Sequence, residues 1–192
     1  VGGEREYRAR TVIDSTADAY VAASAGVPTQ QGDARGRVQP ASLMFRLSHV
    51  DLSKLSTYVR MHPEQMRTSL KAHERKPAAL TAVAGLYELW NKAREDGEVD
   101  VPRELVSFFA SPYPDEVMVN MTRVVDIDPL DPDDLTRAEV QSRAQVMELV
   151  RFFRNRVPGF ANARIAATAT QVGIRESRRI VGEYTLSAQD VL

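Results

Sequence analysis

The sequence predicts an α+β chain in which several helices accompany a mixed or antiparallel sheet. Three observations predict it. Runs of strand length, Ser42-Leu43-Met44-Phe45-Arg46-Leu47, Leu105–Phe109 and Val117–Val125, are interspersed with longer stretches whose apolar residues recur every three or four positions. The last two runs flank Ser111-Pro112-Tyr113-Pro114-Asp115, a Pro-bearing loop that reads as the connection of an antiparallel pair. The polar stretch from Gly32 to Gly36 ends one pattern before another begins, so a boundary is expected near residue 37.

In chain order, Tyr7 to Ile13 alternates and then turns apolar, as a strand entering a buried sheet does. Asp14-Ser15-Thr16-Ala17-Asp18 follows with helix-starting residues, Ala19 to Ala25 makes a short helix, and Gly26 with Pro28 ends it. Asp51 caps a helix over Leu52 to Arg60, and Pro63 opens another that runs to about Arg75. A third helix spans Ala78 to Asp96 and closes at Gly97, with Leu80, Val83, Ala84, Tyr87 and Trp90 on one face. In the second strand of the antiparallel pair, Val117, Val119 and Met121 share a face.

Asp126 to Asp134 is rich in Asp and Pro, cannot continue a strand, and brings negative charge to the next helix start. Thr136 and Glu139 have capping-box spacing, and Val140, Ala144, Met147, Val150 and Phe153 then recur along a long helix that ends at Pro158-Gly159. Ala163 to Val172 reads as a returning strand.

Composition narrows the function. The 192 residues are 43% hydrophobic and 27% charged, enough for a buried core in one large or two small domains. A net charge of −1 advertises neither nucleic acid nor an anionic membrane as partner. No cysteine is present, which removes disulfides, thiolate metal sites and thiol nucleophiles together, so redox chemistry would need a cofactor. No apolar run approaches the roughly 20 residues that span a bilayer, and the first residues carry no signal core, which predicts a soluble, cytoplasmic protein. His49, His62 and His73 lack metal-ligand spacing, so no metal is expected. His49 follows a strand, where it can face a cleft as a proton donor or serve as an ordinary polar strand end. Nucleophile-elbow, phosphate-loop and paired-carboxylate patterns do not occur.

Four ordered segments carry a resemblance. Ala9 to Pro28, containing Asp14-Ser15-Thr16-Ala17-Asp18, is similar to a strand ending in Ala-Thr-Gly-Asp, with Ser15 and Ala17 standing where that pattern has Ala and Gly. Gln39-Pro40-Ala41-Ser42-Leu43-Met44-Phe45-Arg46 is similar to a Gln-Pro-x-x-Leu-Met-Phe-Arg stretch, and Phe153 to Phe160 to a helix ending in Val-Pro-Gly-Phe. Gly173-Ile174-Arg175-Glu176-Ser177-Arg178-Arg179, followed by Gly182-Glu183-Tyr184 and a Thr-x-x-Asp-Val-like ending, resembles the most specific motif of the set. In order and spacing these segments resemble the FAD-dependent oxidoreductases, whose glutathione-reductase-type fold also underlies fumarate reductase flavoproteins.

The resemblance implies FAD as cofactor and an α/β parent fold in which residues 1–36 end a three-layer FAD-binding domain. It further implies that 37–168 form a substrate domain and that 169–192 cross back toward the cofactor domain. Ser15, Thr16, Ala17, Asp18 and Gly173 then lie beside the cofactor. Arg175 becomes the candidate catalytic residue, with Arg178, Arg179 and His49 as candidate substrate ligands, because guanidinium groups hold carboxylates or stabilise charge at a flavin edge. The alternative for these arginines is a solvated network with Glu176, Glu183 and nearby carboxylates.

The dinucleotide fingerprint Gly-x-Gly-x-x-Gly does not occur in the chain, and the chain starts without methionine, so it reads as an internal fragment. The fingerprint is expected before Val1 and a further Gly-rich segment beyond Leu192, so the fragment alone is expected neither to retain FAD nor to be active. The expected partner is a small-molecule substrate of unspecified kind. Two competing readings are a non-catalytic domain that binds an acidic partner or nucleic acid through the Arg137–Arg156 helix, and a family member without redox activity.

Overall fold

Alternation along the strands builds one sheet with a covered face. The computed structural model describes residues 5–67 and 82–191. The chain divides into a smaller unit, made of the residues up to Val38 together with those from Glu176 onward, and a larger one, Gln39–Arg175.

In the larger unit, β2 (Phe45–Ser48), β3 (Ala82–Gly85), β4 (Val106–Ala110), β5 (Val117–Val119) and β6 (Arg164–Thr168) form a sheet in the order β3-β4-β5-β2-β6. Every pairing in it is antiparallel. Phe45, Leu47, Val83, Val106, Phe108, Val117 and Val119 point to one face and are buried there. Among the described residues, α2 (Leu52–Met61), α3 (Tyr87–Glu95) and α4 (Pro132–Arg156) accompany the sheet. Trp90 of α3 meets Phe152 of α4 edge to face at 5.1 Å, and Phe153 stands against Phe108 and Phe160. Aromatic pairs of this geometry contribute beyond their buried area.

Several expectations hold. Asp51 caps α2 by accepting from Ser53 N–H and Lys54 N–H. The β4–β5 pair is antiparallel across the Pro-bearing loop, and Val117, Val119 and Met121 are buried together.

Others are corrected. The helix expected over Ala78–Asp96 is a strand followed by a shorter helix, because Gly85 at φ 151° and Leu86 at φ 55° leave helical backbone between Val83 and Trp90. Its first residues, 78–81, lie outside the described residues. The helix expected from Pro63 is a single 3-10 turn, Pro63–Gln65, after which Met66 is extended and bridges Gly85. Its stretch from 68 to 75 lies outside the described residues, as does His73.

The long helix starts at Pro132 under an Asp131 cap, five residues before the expected Arg137 start. Proline tolerates the first helical position because its missing N–H would be unpaired there anyway. Thr136 therefore sits inside the helix and bonds Pro132 O, and Glu139 serves Val172 N–H and Arg143. The buried stripe is Ala138, Ser142, Gln145, Val146, Leu149, Val150, Phe152 and Phe153, while Val140 and Met147 face solvent.

The smaller unit holds α1 (Tyr20–Ser24) and an antiparallel pair, β1 (Thr29–Gln31) with β7 (Arg178–Ile180). Tyr7–Ile13 is not a strand: it pairs with no segment among the described residues, and Ile13 is 87% exposed. β1 was not expected from the sequence; its residues, Thr-Gln-Gln, carry no apolar alternation.

Candidate functional site

Asp14 organises the turn of the smaller unit. Its carboxylate accepts from Thr16 N–H at 2.9 Å, Thr16 Oγ1–H at 2.7 Å and Ala22 N–H at 2.8 Å. These bonds, that from Ala22 foremost, hold its pKa below the usual carboxylate value. Thr16 Oγ1 accepts in turn from Tyr20 N–H at 2.8 Å. The first N–H groups of α1 are thus occupied. Ala17 and Ala19 both adopt φ 51°, the left-handed conformation that glycine tolerates better than alanine. Ala17, which stands where the resembled pattern has glycine, thus holds a backbone conformation that glycine would adopt without strain. The backbone N–H groups of Ser15, Ala17 and Ala19 have no partner among the described residues.

Two of the sequence-selected arginines meet this turn or its neighbours. Arg178 Nε donates to Asp18 O at 2.9 Å, and Ser177 Oγ to Asp18 Oδ1 at 2.5 Å. Arg179 donates to Gly32 O at 3.1 Å and pairs with Glu176 at 2.9 Å. The structure thus brings Asp18 and Arg178 together, and ties Arg179 to the loop after β1.

Arg175 belongs to the larger unit. Its Nη1 donates to Pro40 O at 2.7 Å and its Nη2 to Ser42 Oγ at 2.6 Å. Gly173 pairs its N–H and C=O with Ser42, so Gly173 and Arg175 flank the same short segment. That segment is doubly anchored. Ala41 and Val124 exchange both backbone bonds at 2.9 Å, and Thr122 Oγ1 accepts from Leu43 N–H while donating to Leu43 O.

Two arginines that sequence reasoning missed join this corner. Arg103 is half-buried, donates from Nε to Met121 O and from Nη2 to Thr122 O at 3.0 Å each, and is held through its own carbonyl by Trp90 Nε1–H at 2.8 Å. Arg123 has its backbone clamped on both sides by the buried amide of Gln145, at 2.8 and 2.9 Å. No short motif marks either residue; a Trp in the helix stripe and a buried Gln in α4 were the only signals.

His49 lies elsewhere. It follows β2 at φ 60°, exposed, with its N–H on Asp115 and its Nδ1 3.0 Å from Ser48 Oγ. The whole of β2 separates it from Ser42, so it does not join Arg175. Asn120 Oδ1 and Ser142 Oγ are buried without a partner among the described residues. No group of acidic, His or Cys side chains among the described residues is arranged to hold a metal.

Comparison with known families gives the class of protein: a flavin redox protein. The chain belongs to the FAD dependent oxidoreductase family, whose model matches residues 1–192. Searches of curated proteins and of solved structures gave no match. Among the described residues no helix is long and apolar enough to cross a membrane.

The residues present fit FAD in part. A pyrophosphate requires free N–H groups at a helix start, and here Asp14 and Thr16 occupy them with a negative charge beside the turn. The unpaired N–H groups of Ser15, Ala17 and Ala19 fit a neutral, acceptor-bearing part of the cofactor instead.

Proposed function

We propose that the protein passes hydride equivalents between FAD and a small-molecule substrate, with residues 37–168 contributing the substrate side. The observation that carries this reading is the family match over the whole chain. Bound FAD would supply the electron chemistry, and the polypeptide supplies position and charge.

In this reading residues 1–36 end the FAD-binding domain, 37–168 are the substrate domain and 169–192 return toward the cofactor. The turn from Ser15 to Asp18 offers backbone N–H groups to the cofactor's carbonyl or ring-nitrogen acceptors. Arg178 and Arg179 hold that turn and the loop after β1, which supports a positioning role rather than direct substrate contact. Arg175 is proposed to act on the reactants: Pro40 O and Ser42 Oγ fix two of its nitrogens, leaving further N–H donors to orient a substrate anion or stabilise developing charge.

The natural full-length protein, purified and supplied with FAD, should show flavin absorbance that bleaches on reduction. No bound flavin after reconstitution would sink the reading. Arg175→Ala should lower turnover about a hundredfold, the effect of removing one charge-stabilising donor, a loss measured at a temperature well below the variant's own melt because the bonds to Pro40 O and Ser42 Oγ go with it. Unchanged turnover would reject the role of Arg175.

A further inference from the structure

We propose that Arg103, Arg123 and Arg175 form an oxyanion-binding site in the larger unit, one that receives a carboxylate or phosphate group of a small molecule. The identification of that molecule as the substrate rests on the reading of Arg175 above; the anion site itself does not.

The first support is charge without counter-charge. Arg103, Arg123 and Arg175 make no ion pair among the described residues, although arginines elsewhere in the unit find carboxylates readily, such as Arg156 with Asp96 and Glu98 or Arg143 with Glu139. Burial, and after it the charges of Arg123 and Arg175, lower the pKa of Arg103, and no carboxylate offsets them. Arg175 is exposed and Arg123 half-buried, so water carries part of their charge, and an anion beside them would supply the counter-charge that no carboxylate gives.

The second support is donor geometry. Arg103 spends Nε and Nη2 on Met121 O and Thr122 O, which leaves Nη1. Arg175 spends Nη1 and Nη2 on Pro40 O and Ser42 Oγ, which leaves Nε. The guanidinium of Arg123 has no hydrogen-bond partner among the described residues, although Gln145 fixes its backbone from both sides. Arg103 grips the 121–122 backbone and Arg175 the 40–42 segment, each with N–H groups to spare, Arg123 follows directly on Thr122, and the two segments are tied by the Ala41–Val124 and Thr122–Leu43 bonds. Preorganised guanidinium donors suit carboxylate and phosphate oxygens, to which they give short, charge-assisted hydrogen bonds.

Two of these arginines also hold backbone carbonyls, so their replacement would disturb the fold. Arg123 holds nothing with its side chain, which makes Arg123→Gln the clean variant. Arg151, an exposed cation on α4, gives the control Arg151→Gln.

The test titrates the natural protein, with flavin omitted, by calorimetry at fixed ionic strength using malonate and inorganic phosphate, with sodium chloride and the neutral malonamide as controls. Saturable binding of malonate or phosphate is expected, weakened about tenfold or more in Arg123→Gln, the equivalent of one charge-assisted bond, and unchanged in Arg151→Gln. Tighter malonate binding assigns a carboxylate carrier, and tighter phosphate binding a phosphorylated one. Equal affinity in wild type and Arg123→Gln, or a response that sodium chloride reproduces, would overturn the proposal. Anion binding that persists in a protein without flavin turnover would reject the proposed function and leave this site standing; turnover without anion binding would do the reverse.

Discussion

The two units solve the problem of staying ordered in different ways. Every buried apolar residue of the described chain lies between Ala41 and Val172, within the larger unit. In the smaller unit Tyr7, Ile13, Tyr184 and Val191 are all more than half exposed, and order comes from polar clamps. Asp14 holds the turn before α1, Asp33 accepts from Arg35 and Arg37 N–H, and Tyr184 donates to Asp190. Net contributions of such bonds are small because water competes for the same groups, whereas burial of large apolar side chains contributes several times more per residue. The larger unit should therefore resist denaturant and protease that open the smaller one.

The largest expected effect breaks this contrast from the side of the core. Phe153→Ala removes a ring fully buried against Phe108, Phe152 and Phe160, and should cost the larger unit about 3–5 kcal/mol. Denaturant melts read by Trp90 fluorescence would measure it. A loss below 1 kcal/mol would mean that the core is not the source of stability.

A smaller effect, of opposite sign, belongs to the smaller unit. Ala17→Gly releases a left-handed alanine and should stabilise the turn by about 1 kcal/mol, the strain cost less the added freedom of glycine. Hydrogen exchange at Tyr20 and Ala22 should slow, while the melt of the larger unit stays fixed. Faster exchange would show that the turn needs the alanine methyl.

The smallest effect is a pH dependence. Asp51 has a depressed pKa, first through the Ser53 hydroxyl and then the Lys54 N–H. Its folded value lies below its unfolded one, so the cap's contribution is complete above the ordinary carboxylate value near 4 and is lost as pH falls through the folded value. Asp51→Asn still accepts the cap bonds and should flatten the acid limb of a melting-temperature profile. An unchanged acid limb would remove Asp51 from the cause.

What was legible in the sequence was local. The Asp51 cap, the end of the long helix at Pro158-Gly159 and the Pro-bearing hairpin all depend on residues within a few positions of each other. Helical spacing misled at Val83, Ala84, Tyr87 and Trp90, because an inward-facing strand and a following helix can share that spacing, and the turn at Gly85-Leu86 is fixed by Gln65 O, which accepts from Leu86 N–H. Of the cationic corner, only Arg175 stood in a recognisable motif. Arg103 and Arg123 reach it through Trp90, Gln145 and the pairing of the 40–43 and 121–124 segments, contacts that no local pattern announces.

The position of β2 also sets a schedule for folding. It is the earliest strand of its sheet to be synthesised, yet its neighbours are β5 and β6: Arg46 reaches Glu116 across 70 positions, and Ser42 meets Arg175 across 133. A strand whose partners arrive so late must wait unpaired, and pairings of such separation close slowly. A ribosome-bound chain ending before β6 would leave one edge of β2 open, and the arginine corner would assemble only after Arg175 has cleared the exit tunnel.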